Sequence, residues 1–249
     1  MISITGFDQT GGMMRNAFVT GGDRGIGRAI VEMLVAMGHR VVFTYHRNEK
    51  AAVRTLKEIG PGKAECYKLD LRDYTRIRYL LLRLKRKGMV FDVVVNNAGI
   101  LGRFRTIPTI TRRDWDEVIA VNLSGPFYLM KWLLPLIRKG GCIINISSIA
   151  GKMGGTVGVH YAASKAGLIG FTFALARELA GSGIRVNAIA PGPVDTGLLT
   201  PQQKRRLSRL ALLKRVARPE EIAHAVRFLI ENEYITGEVI DINAGRYMD

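Results

Sequence analysis

Short apolar runs alternate along the chain with longer segments whose apolar residues recur at helical spacing. The first run, "AFVTGG", starts at Ala17 and is followed over 25–37 by an apolar stripe that Gly38 ends. Apolar residues at every third or fourth position predict a helix, and short β-branched runs predict strands. This pattern predicts further strands over 40–45, 64–70, 92–99, 142–148, 185–192 and 238–245, and helices over 49–59, 73–87, 112–138, 160–180, 201–213 and 219–231.

Strand and helix alternate throughout, which favours right-handed βαβ crossovers. The predicted fold class is therefore α/β, a single-domain, doubly wound (Rossmann-like) parallel β-sheet flanked by helices on both faces. We expect one domain over 14–249, preceded by an N-terminal extension over 1–13 that need not be ordered. Pro126 and Pro135 are expected to bend or break the helix predicted over 112–138.

The composition is ordinary for a globular protein, with 47% apolar and 23% charged residues. Cys66 and Cys142 lie far apart and outside any CxxC or Cys/His spacing, so no disulfide framework or metal site is expected. No run of about 18 apolar residues and no secretory signal is visible. These features predict a cytoplasmic protein.

The net charge of +16 is unusual, because 37 basic residues face only 21 acidic ones. Much of the excess lies in three stretches, 76–87, 103–113 and 204–218, and the last holds seven Lys/Arg and no acid. Such stretches form either solvated helix faces or a docking surface for an acidic partner. Charge alone does not decide between the two.

A glycine-rich turn, "TGGDRGIG" (20–27), joins the first predicted strand to the first predicted helix. Glycines permit a tight turn and close backbone approach, and the helix start offers free N–H groups to a phosphate. A turn needed only for packing is the plainer interpretation, but the strand-to-helix context favours dinucleotide binding. The candidate cofactor-binding residues are Gly21, Asp23, Arg24, Gly25, Ile26 and Gly27.

The end of the second predicted strand indicates which dinucleotide binds. An acid at this place would bond the ribose hydroxyls and repel a 2′-phosphate. Here the strand ends in Tyr45, His46 and Arg47, and no acid follows until Glu49. Two arginines, Arg47 and Arg24, could contact a phosphate dianion, so the predicted cofactor is NADP(H). The plainer alternative is that Arg47 is a solvated loop residue.

Several motifs together resemble the short-chain dehydrogenase/reductase family over about residues 15–249. They are "TGGDRGIG", "NNAG" (96–99), Asn122 in "VNLSGPF", "NISSIAG" (145–151), "YAASK" (161–165) and "NAIAPGPVDTG" (187–197). Two stretches of sequence are most similar to the family's 3-oxoacyl-[acyl-carrier-protein] reductases. They are "HYAASKAGLIGFTFALARELA" and, near the C-terminus, "ITGEVIDINAGRYM".

The resemblance implies a catalytic set of Ser148, Tyr161, Lys165 and Asn122. Tyr161 would protonate the carbonyl oxygen as hydride arrives. The positive charge of Lys165, one helical turn away, would stabilise the phenolate that this leaves on Tyr161. Ser148 would hold the substrate oxygen, with Ser147 as the alternative if the register differs by one. Asn122 would support a proton path to the lysine.

The resemblance also implies further cofactor contacts and a partner. Besides Tyr161 and Lys165, the implied NADP(H) contacts are Asp70, Leu71, Asn97, Ala98, Gly99, Pro191, Gly192, Val194 and Thr196. A structural role is an equal alternative for Asn96, Asn97 and Asn122. Family members suggest a homotetramer, with the helix over 160–180 and the last strand at interfaces.

The expected reaction is NADPH-dependent reduction of a 3-oxoacyl thioester on acyl carrier protein to the 3-hydroxyacyl product in fatty acid synthesis. The 201–218 segment, Arg138 and Lys139 would face the acidic carrier, although Ser182 stands where a second basic docking residue is usual. An NADP-dependent reductase of another ketone or polyol is the alternative enzyme. A basic nucleic-acid-binding protein on the same fold is the alternative outside catalysis, but no recognition motif supports it. No membrane association is expected.

Overall fold

A computed structural model describes residues 15–155, 157–197 and 199–248. Seven parallel strands form one sheet in the order β3-β2-β1-β4-β5-β6-β7. The strands are β1 (Asn16–Val19), β2 (Arg40–Tyr45), β3 (Ala64–Lys68), β4 (Phe91–Asn96), β5 (Ile137–Ile146), β6 (Arg185–Pro191) and β7 (Val239–Ile242). The predicted doubly wound parallel sheet is confirmed.

Nine α-helices fall in the described residues, α1 (Gly25–Ala36), α2 (Glu49–Ile59), α3 (Tyr74–Arg86), α4 (Arg112–Ile119), α5 (Gly125–Leu133), α6 (Ala150–Met153), α7 (Val159–Leu179), α8 (Pro201–Arg209) and α9 (Pro219–Glu231). Asn48, Asp73, Thr111 and Thr200 cap four of them through side-chain oxygens that accept backbone N–H bonds. Helix α1 has no side-chain cap, because its N-cap residue is Arg24.

The helix predicted over 112–138 is divided by a π-helical turn, Ala120–Ser124, that lies directly before Pro126. Pro135 lies in a 3₁₀ turn, Leu134–Leu136, and residue 137 already belongs to β5. The expected interruption is therefore present, but the predicted end was wrong. The start of β5 was missed because Arg138, Lys139 and two glycines break its apolar pattern, and its pairing with β4 shifts register there.

Two apolar cores cover the two faces of the sheet. One contains α1 and α9 residues such as Leu34 and Val226 against β1, β2 and β5. The other packs α3, α5 and α7 against the opposite face through residues that include Leu81 and Leu129. Both faces of the central strands are thus buried, which explains their continuous apolar sequence.

The prediction for residues 1–13 lies outside the described residues. In the described part of the chain, no helix is long and apolar enough to cross a membrane.

Candidate active site

The site lies at the carboxyl ends of the strands, between β1 and β4. There the strands stop being added toward one edge of the sheet and begin to be added toward the other. Strands β1 and β4 are neighbours in the sheet although two strands separate them in sequence. The connections leaving them run to opposite sides and open a crevice between the strand ends, the usual ligand site of this architecture. The residues predicted from sequence to bind the cofactor start at these ends.

The glycine turn meets the geometric requirements of a phosphate site. Gly21 and Gly25 have positive φ values of 66° and 53°. A Cβ on Gly27 would lie 1.9 Å from the Gly21 carbonyl oxygen, so only glycine allows this close turn. Helix α1 starts at Gly25 with no side-chain cap and no acid in its first turn. Its free N–H groups and positive dipole end fit a pyrophosphate.

Basic residues surround the end of β2. Tyr45 is buried, while His46, Arg47 and the Arg24 of the glycine turn are exposed. Asp23 is buried, and desolvation raises the pKa of its carboxyl group, with smaller opposing effects from its own backbone and Arg24. The exposed guanidinium groups of Arg24 and Arg47 could both contact a phosphate group.

Asp70 is engaged by two basic side chains. The Arg72 Nη2 donates to Asp70 Oδ2 over 2.7 Å, and the His46 Nε2 lies 3.3 Å from the same oxygen. The hydrogen bonds from Arg72 lower the pKa of Asp70 to about 2, against a smaller desolvation effect. Leu71 beside it is buried. The carboxylate thus stays ionised beside the adenine position that family resemblance implies.

The "NNAG" segment mainly ties β4 to the glycine turn. Asn97 Nδ2 donates to the carbonyl oxygens of Thr20 and Gly21 over 2.9 and 3.1 Å. The backbone N–H groups of Asn97 and Ala98 both donate to Thr20 Oγ1 over 3.0 Å. The Asn97 side chain is therefore structural, and Thr20, which sequence reasoning missed, anchors both segments.

The segment after β6 closes over the same turn. Thr196 lies against Gly25, whose Cβ position is 3.0 Å from Thr196 Cβ. Pro191 is buried at the end of β6, and Gly192 donates its N–H to Ile242 in β7. Val194 pairs in an isolated bridge with Ala217. The predicted contacts 191–196 thus lie at the rim of the crevice, beside the glycine turn.

The two adjacent serines after β5 have different surroundings. Burial raises the pKa of the Tyr161 phenol, and a hydrogen bond with Ser148 lowers it to a smaller extent. Ser147 is buried and donates instead to the carbonyl oxygen of Lys165 over 2.9 Å. The structure therefore brings Ser148, and not Ser147, to the tyrosine.

Lys165 lies beneath the tyrosine in α7. Its side chain is 4% exposed, and its Nζ lies 5.9 Å from the centre of the Tyr161 ring. The Nζ donates to the Ile146 carbonyl oxygen over 2.8 Å. Desolvation lowers the pKa of this ammonium group to about 8. A buried cation next to the phenol stabilises the phenolate form.

Asn122 occupies the π-helical turn and is fully buried. Its Oδ1 accepts from the Ile100 N–H over 2.8 Å, and its Nδ2 donates to the Ile100 carbonyl and to Ser164 Oγ over 2.9 and 3.0 Å. Pro126 lacks an N–H, so the Asn122 carbonyl has no i+4 α-helical donor. Such π-turns are frequent at functional sites.

Ser164 therefore has a role that its place between Tyr161 and Lys165 did not reveal. Its Oγ accepts from Asn122 Nδ2 over 3.0 Å and donates to the Tyr161 carbonyl oxygen over 2.8 Å. The signal available in sequence was a hydroxyl on the same helix face as His160 and Gly167, which points to a packed face and not to solvent.

Gly99 completes the cluster. A Cβ there would lie 3.2 Å from Asn122 Oδ1 and 3.3 Å from Lys165 Nζ, so the loop after β4 closely approaches both groups. In the described residues, no cluster of three or more His, Cys, Asp and Glu side chains could hold a metal ion.

The fold and the grouping of these residues define a dinucleotide-binding oxidoreductase. A family model described as enoyl-(acyl carrier protein) reductase matches residues 21–246. The chain belongs to the short-chain dehydrogenase/reductase family, as its motifs indicated.

Curated relatives cover almost the whole chain. The chain is 38% identical to the 3-oxoacyl-[acyl-carrier-protein] reductase FabG of Salmonella typhimurium, over 93% of this chain and 97% of that protein. It is 35% identical to FabG of Staphylococcus aureus, over 95% and 99% of the two chains. A Brucella melitensis structure titled as a short-chain dehydrogenase/reductase, glucose/ribitol dehydrogenase, superposes with a TM-score of 0.86 at 32% identity, covering 94% of this chain and 97% of that one.

Proposed function

We propose that this protein uses NADPH to reduce a 3-oxoacyl thioester on acyl carrier protein to the 3-hydroxyacyl product in fatty acid synthesis. The observation that carries the proposal is the contact of Ser148 with Tyr161 above the buried Lys165. The relatives named above as 3-oxoacyl-[acyl-carrier-protein] reductases support the substrate class. We further propose that residues 14–249 form one NADP-binding domain and that the protein is cytoplasmic.

The proposed mechanism assigns each side chain one task. NADPH, when bound, supplies hydride to the carbonyl carbon. Ser148 donates a hydrogen bond to the carbonyl oxygen, and Tyr161 delivers its proton to that oxygen. Lys165 stabilises the resulting phenolate by its charge, and Asn122 supports the proton path to the lysine. The sum of one hydride and one proton converts the ketone to the alcohol.

The residues that would hold the cofactor are those gathered around the crevice. The glycine turn, Gly21 to Gly27, would bind the pyrophosphate through N–H groups, and Arg24 and Arg47 would bind the 2′-phosphate. Asp70, Leu71 and the segment Asn97–Gly99 would border the adenosine. Pro191, Gly192, Val194 and Thr196 would contact the nicotinamide end.

The basic surface supports an acidic carrier as partner. In the described part of 199–218, Lys204 pairs with Asp195 over 2.6 Å and Arg215 with Glu221 over 2.6 Å. Arg205, Arg206 and Arg209 of α8 are exposed. Lys139 is also exposed, whereas Arg138 pairs with Asp92 over 2.7 Å. Complementary charge of this kind raises the rate of encounter with an acidic protein.

The direct test measures NADPH oxidation with acetoacetyl thioesters of acyl carrier protein and of coenzyme A. Free ketones are compared in the same assay, and polyols are compared by the reduction of NADP+. We expect turnover of the carrier-bound thioester and a 3-hydroxyacyl product. Turnover confined to another ketone or to a polyol would instead support the second candidate, an NADP-dependent reductase of another ketone or dehydrogenase of a polyol. That candidate is favoured by the structural likeness to the protein titled glucose/ribitol dehydrogenase.

Cofactor preference is tested by Arg47→Asp. Replacing a cation with an anion beside the 2′-phosphate removes an attraction and adds a repulsion. We expect the NADPH-over-NADH ratio of kcat/KM to fall by about 100-fold, the scale of a charged hydrogen bond of roughly 2–3 kcal/mol. Arg86→Asp on α3 makes the same charge change at an exposed site and should leave the ratio unaltered. An unchanged ratio in Arg47→Asp would place the 2′-phosphate elsewhere.

A further inference from the structure

His160, the residue before Tyr161, is fully buried although nothing in the proposed mechanism uses it. Neither ring nitrogen has a hydrogen-bond partner among the described residues. Buried polar side chains are normally hydrogen-bonded, and an exception calls for a reason. A leucine or phenylalanine would fill such a position without burying two polar atoms.

Two glycines form a slot around the imidazole. A Cβ on Gly102 would lie 2.6 Å from His160 Nε2, and a Cβ on Gly158 would lie 2.6 Å from His160 Cε1. Both glycines have positive φ values, 72° and 146°. Gly102 belongs to the loop after β4, and Gly158 is the N-cap residue of α7. The ring therefore separates, and is held by, two segments that border the active site.

The loop after β4 meets the first turns of α7 at a second place. Ile100 in this loop is bonded through both backbone groups to Asn122, which bonds Ser164, and Ser164 bonds the Tyr161 carbonyl. His160 and Ser164 are one helical turn apart, on either side of Tyr161 in the chain. The loop is thus fixed to the helix both before and after the tyrosine.

We propose that His160 is a positioning residue whose ring, fitted between Gly102 and Gly158, sets the distance from the loop after β4 to the first turn of α7 and so holds the Tyr161 phenol in its reacting position. This inference rests on the proposed function, because it assigns Tyr161 the proton transfer. It predicts that ring shape matters, since neither nitrogen is bonded.

The test compares His160→Ala and His160→Phe with His224→Ala, a matched histidine that is exposed on α9. We expect His160→Ala to lower kcat at least about 10-fold, because small misplacement of a reacting group has large effects on rate. The NADPH dissociation constant, measured by fluorescence, should stay within about twofold, and the primary deuterium isotope effect on kcat should rise as hydride transfer becomes slower. His160→Phe retains a flat ring and should exceed His160→Ala in kcat.

A double substitution tests the slot itself. Gly102→Ala places a methyl group 2.6 Å from both His160 Nε2 and Val118 Cγ2, so it should lower kcat. The contact with Val118 and the backbone strain at Gly102 are common to both backgrounds. In Gly102→Ala/His160→Ala the methyl group enters the vacated space. The double variant should therefore lose less activity than the product of the two single losses.

Several results would overturn the inference. They are a His160→Ala kcat equal to that of His224→Ala, a loss explained fully by weaker NADPH binding, or multiplicative effects in the double variant. If the wild type reduced no thioester, the proposed function would fail first, and ultraviolet titration would decide the inference. Burial raises the pKa of the Tyr161 phenol, so a phenol displaced from its buried position in His160→Ala should titrate at a lower pH than in wild type. Tyr161→Phe identifies the signal, and identical midpoints would reject the role.

Discussion

Ser147 and Ser148, directly after β5, are adjacent in sequence, but their side chains contact different groups. Sequence spacing left the two serines as alternatives, because a shift of one residue in register would turn either side chain toward the following helix. The structure separates them, since Ser148 bonds Tyr161 while Ser147 bonds the Lys165 carbonyl. The alternation of side chains at a strand end decides which hydroxyl reaches the crevice.

Paired alanine variants should reproduce that difference. Ser148→Ala removes a donor to the developing oxyanion, so kcat/KM should fall by about 100-fold with little change in melting temperature. Ser147→Ala removes a buried bond and should lower the free energy of unfolding by about 1 kcal/mol with kcat nearly intact. Steady-state kinetics and thermal unfolding of both variants check this. If Ser147→Ala instead lost kcat/KM and Ser148→Ala lost only stability, the roles of the two serines would be exchanged.

The buried ammonium of Lys165 predicts a pH dependence. Burial lowers its pKa to about 8, so the folded enzyme loses the positive charge as the pH rises through that value. Since the charge stabilises the Tyr161 phenolate, kcat/KM for carbonyl reduction should fall above pH about 8. The profile of kcat/KM reports the pKa values of groups in the free enzyme.

Lys165→Arg provides the control for this profile. A guanidinium group keeps its charge over the whole range, so any remaining activity of the variant should not fall near pH 8 for this reason. A wild-type profile that is flat between pH 7 and about 9.5 would contradict the assignment. A fall of the same shape in Lys165→Arg would assign the titration to another group.

At the scale of elements, the π-helical turn was the feature that sequence did not predict. The two prolines indicated an interruption of the long helix, but not a π-turn that places Asn122 between the loop after β4 and α7. Local pattern specifies strands and helices where one face is apolar, as in α1 and α9. It does not specify where Asn122 bonds, because Ile100 and Ser164 are 22 and 42 residues away.

The glycine turn, the motifs and the catalytic order were accessible from sequence because each depends on local conformation or spacing. Gly27 is required by a contact only six residues distant. The bond between Ser164 and Asn122, the pairing of Asp70 with His46, and the closure of the slot around His160 by Gly102 depend on tertiary approach. Only the structure could supply these.

Asn122 should therefore matter for stability as well as activity. Asn122→Ala leaves the N–H and carbonyl of Ile100 without their partner, which should cost about 2–6 kcal/mol of unfolding free energy, at roughly 1–3 kcal/mol for each group. Asn122→Asp keeps the acceptor but loses both donors and buries a carboxylate beside the Ile100 carbonyl oxygen, so it should destabilise the fold at least as much as Asn122→Ala. Asn16→Ala removes an exposed hydrogen bond from the Asn16 side-chain amide to the Val90 carbonyl oxygen, and it should lower the unfolding free energy by less than about 1 kcal/mol. Chemical denaturation of the three variants tests the order.

At the scale of the whole molecule, the exposed face of α7 is the feature that a monomer leaves unexplained. Ala163, Ala166, Gly170, Phe173 and Ala174 form an exposed apolar stripe along the helix, and Phe173 is 43% exposed. The opposite face of the same helix packs in the core. A helix that is apolar on all sides is usually buried on all sides, so we propose that this face is an interface between copies of the chain, as in the homotetramer that family resemblance implies.

A charge placed in this stripe should prevent assembly. Phe173→Glu would bury a carboxylate in an apolar interface, and because an unpaired buried charge costs several kcal/mol, sedimentation should show species smaller than the wild type. Tyr234→Glu makes a similar change at a residue that is 100% exposed and lies outside α7, so its sedimentation should match the wild type. A wild type that sediments as a monomer of 27.5 kDa would reject the tetramer. Unchanged assembly of Phe173→Glu would place the interface on another face.

Because α7 carries Tyr161 and Lys165 on its first turns, dissociation of Phe173→Glu should also lower kcat if the interface helps to hold the helix in position.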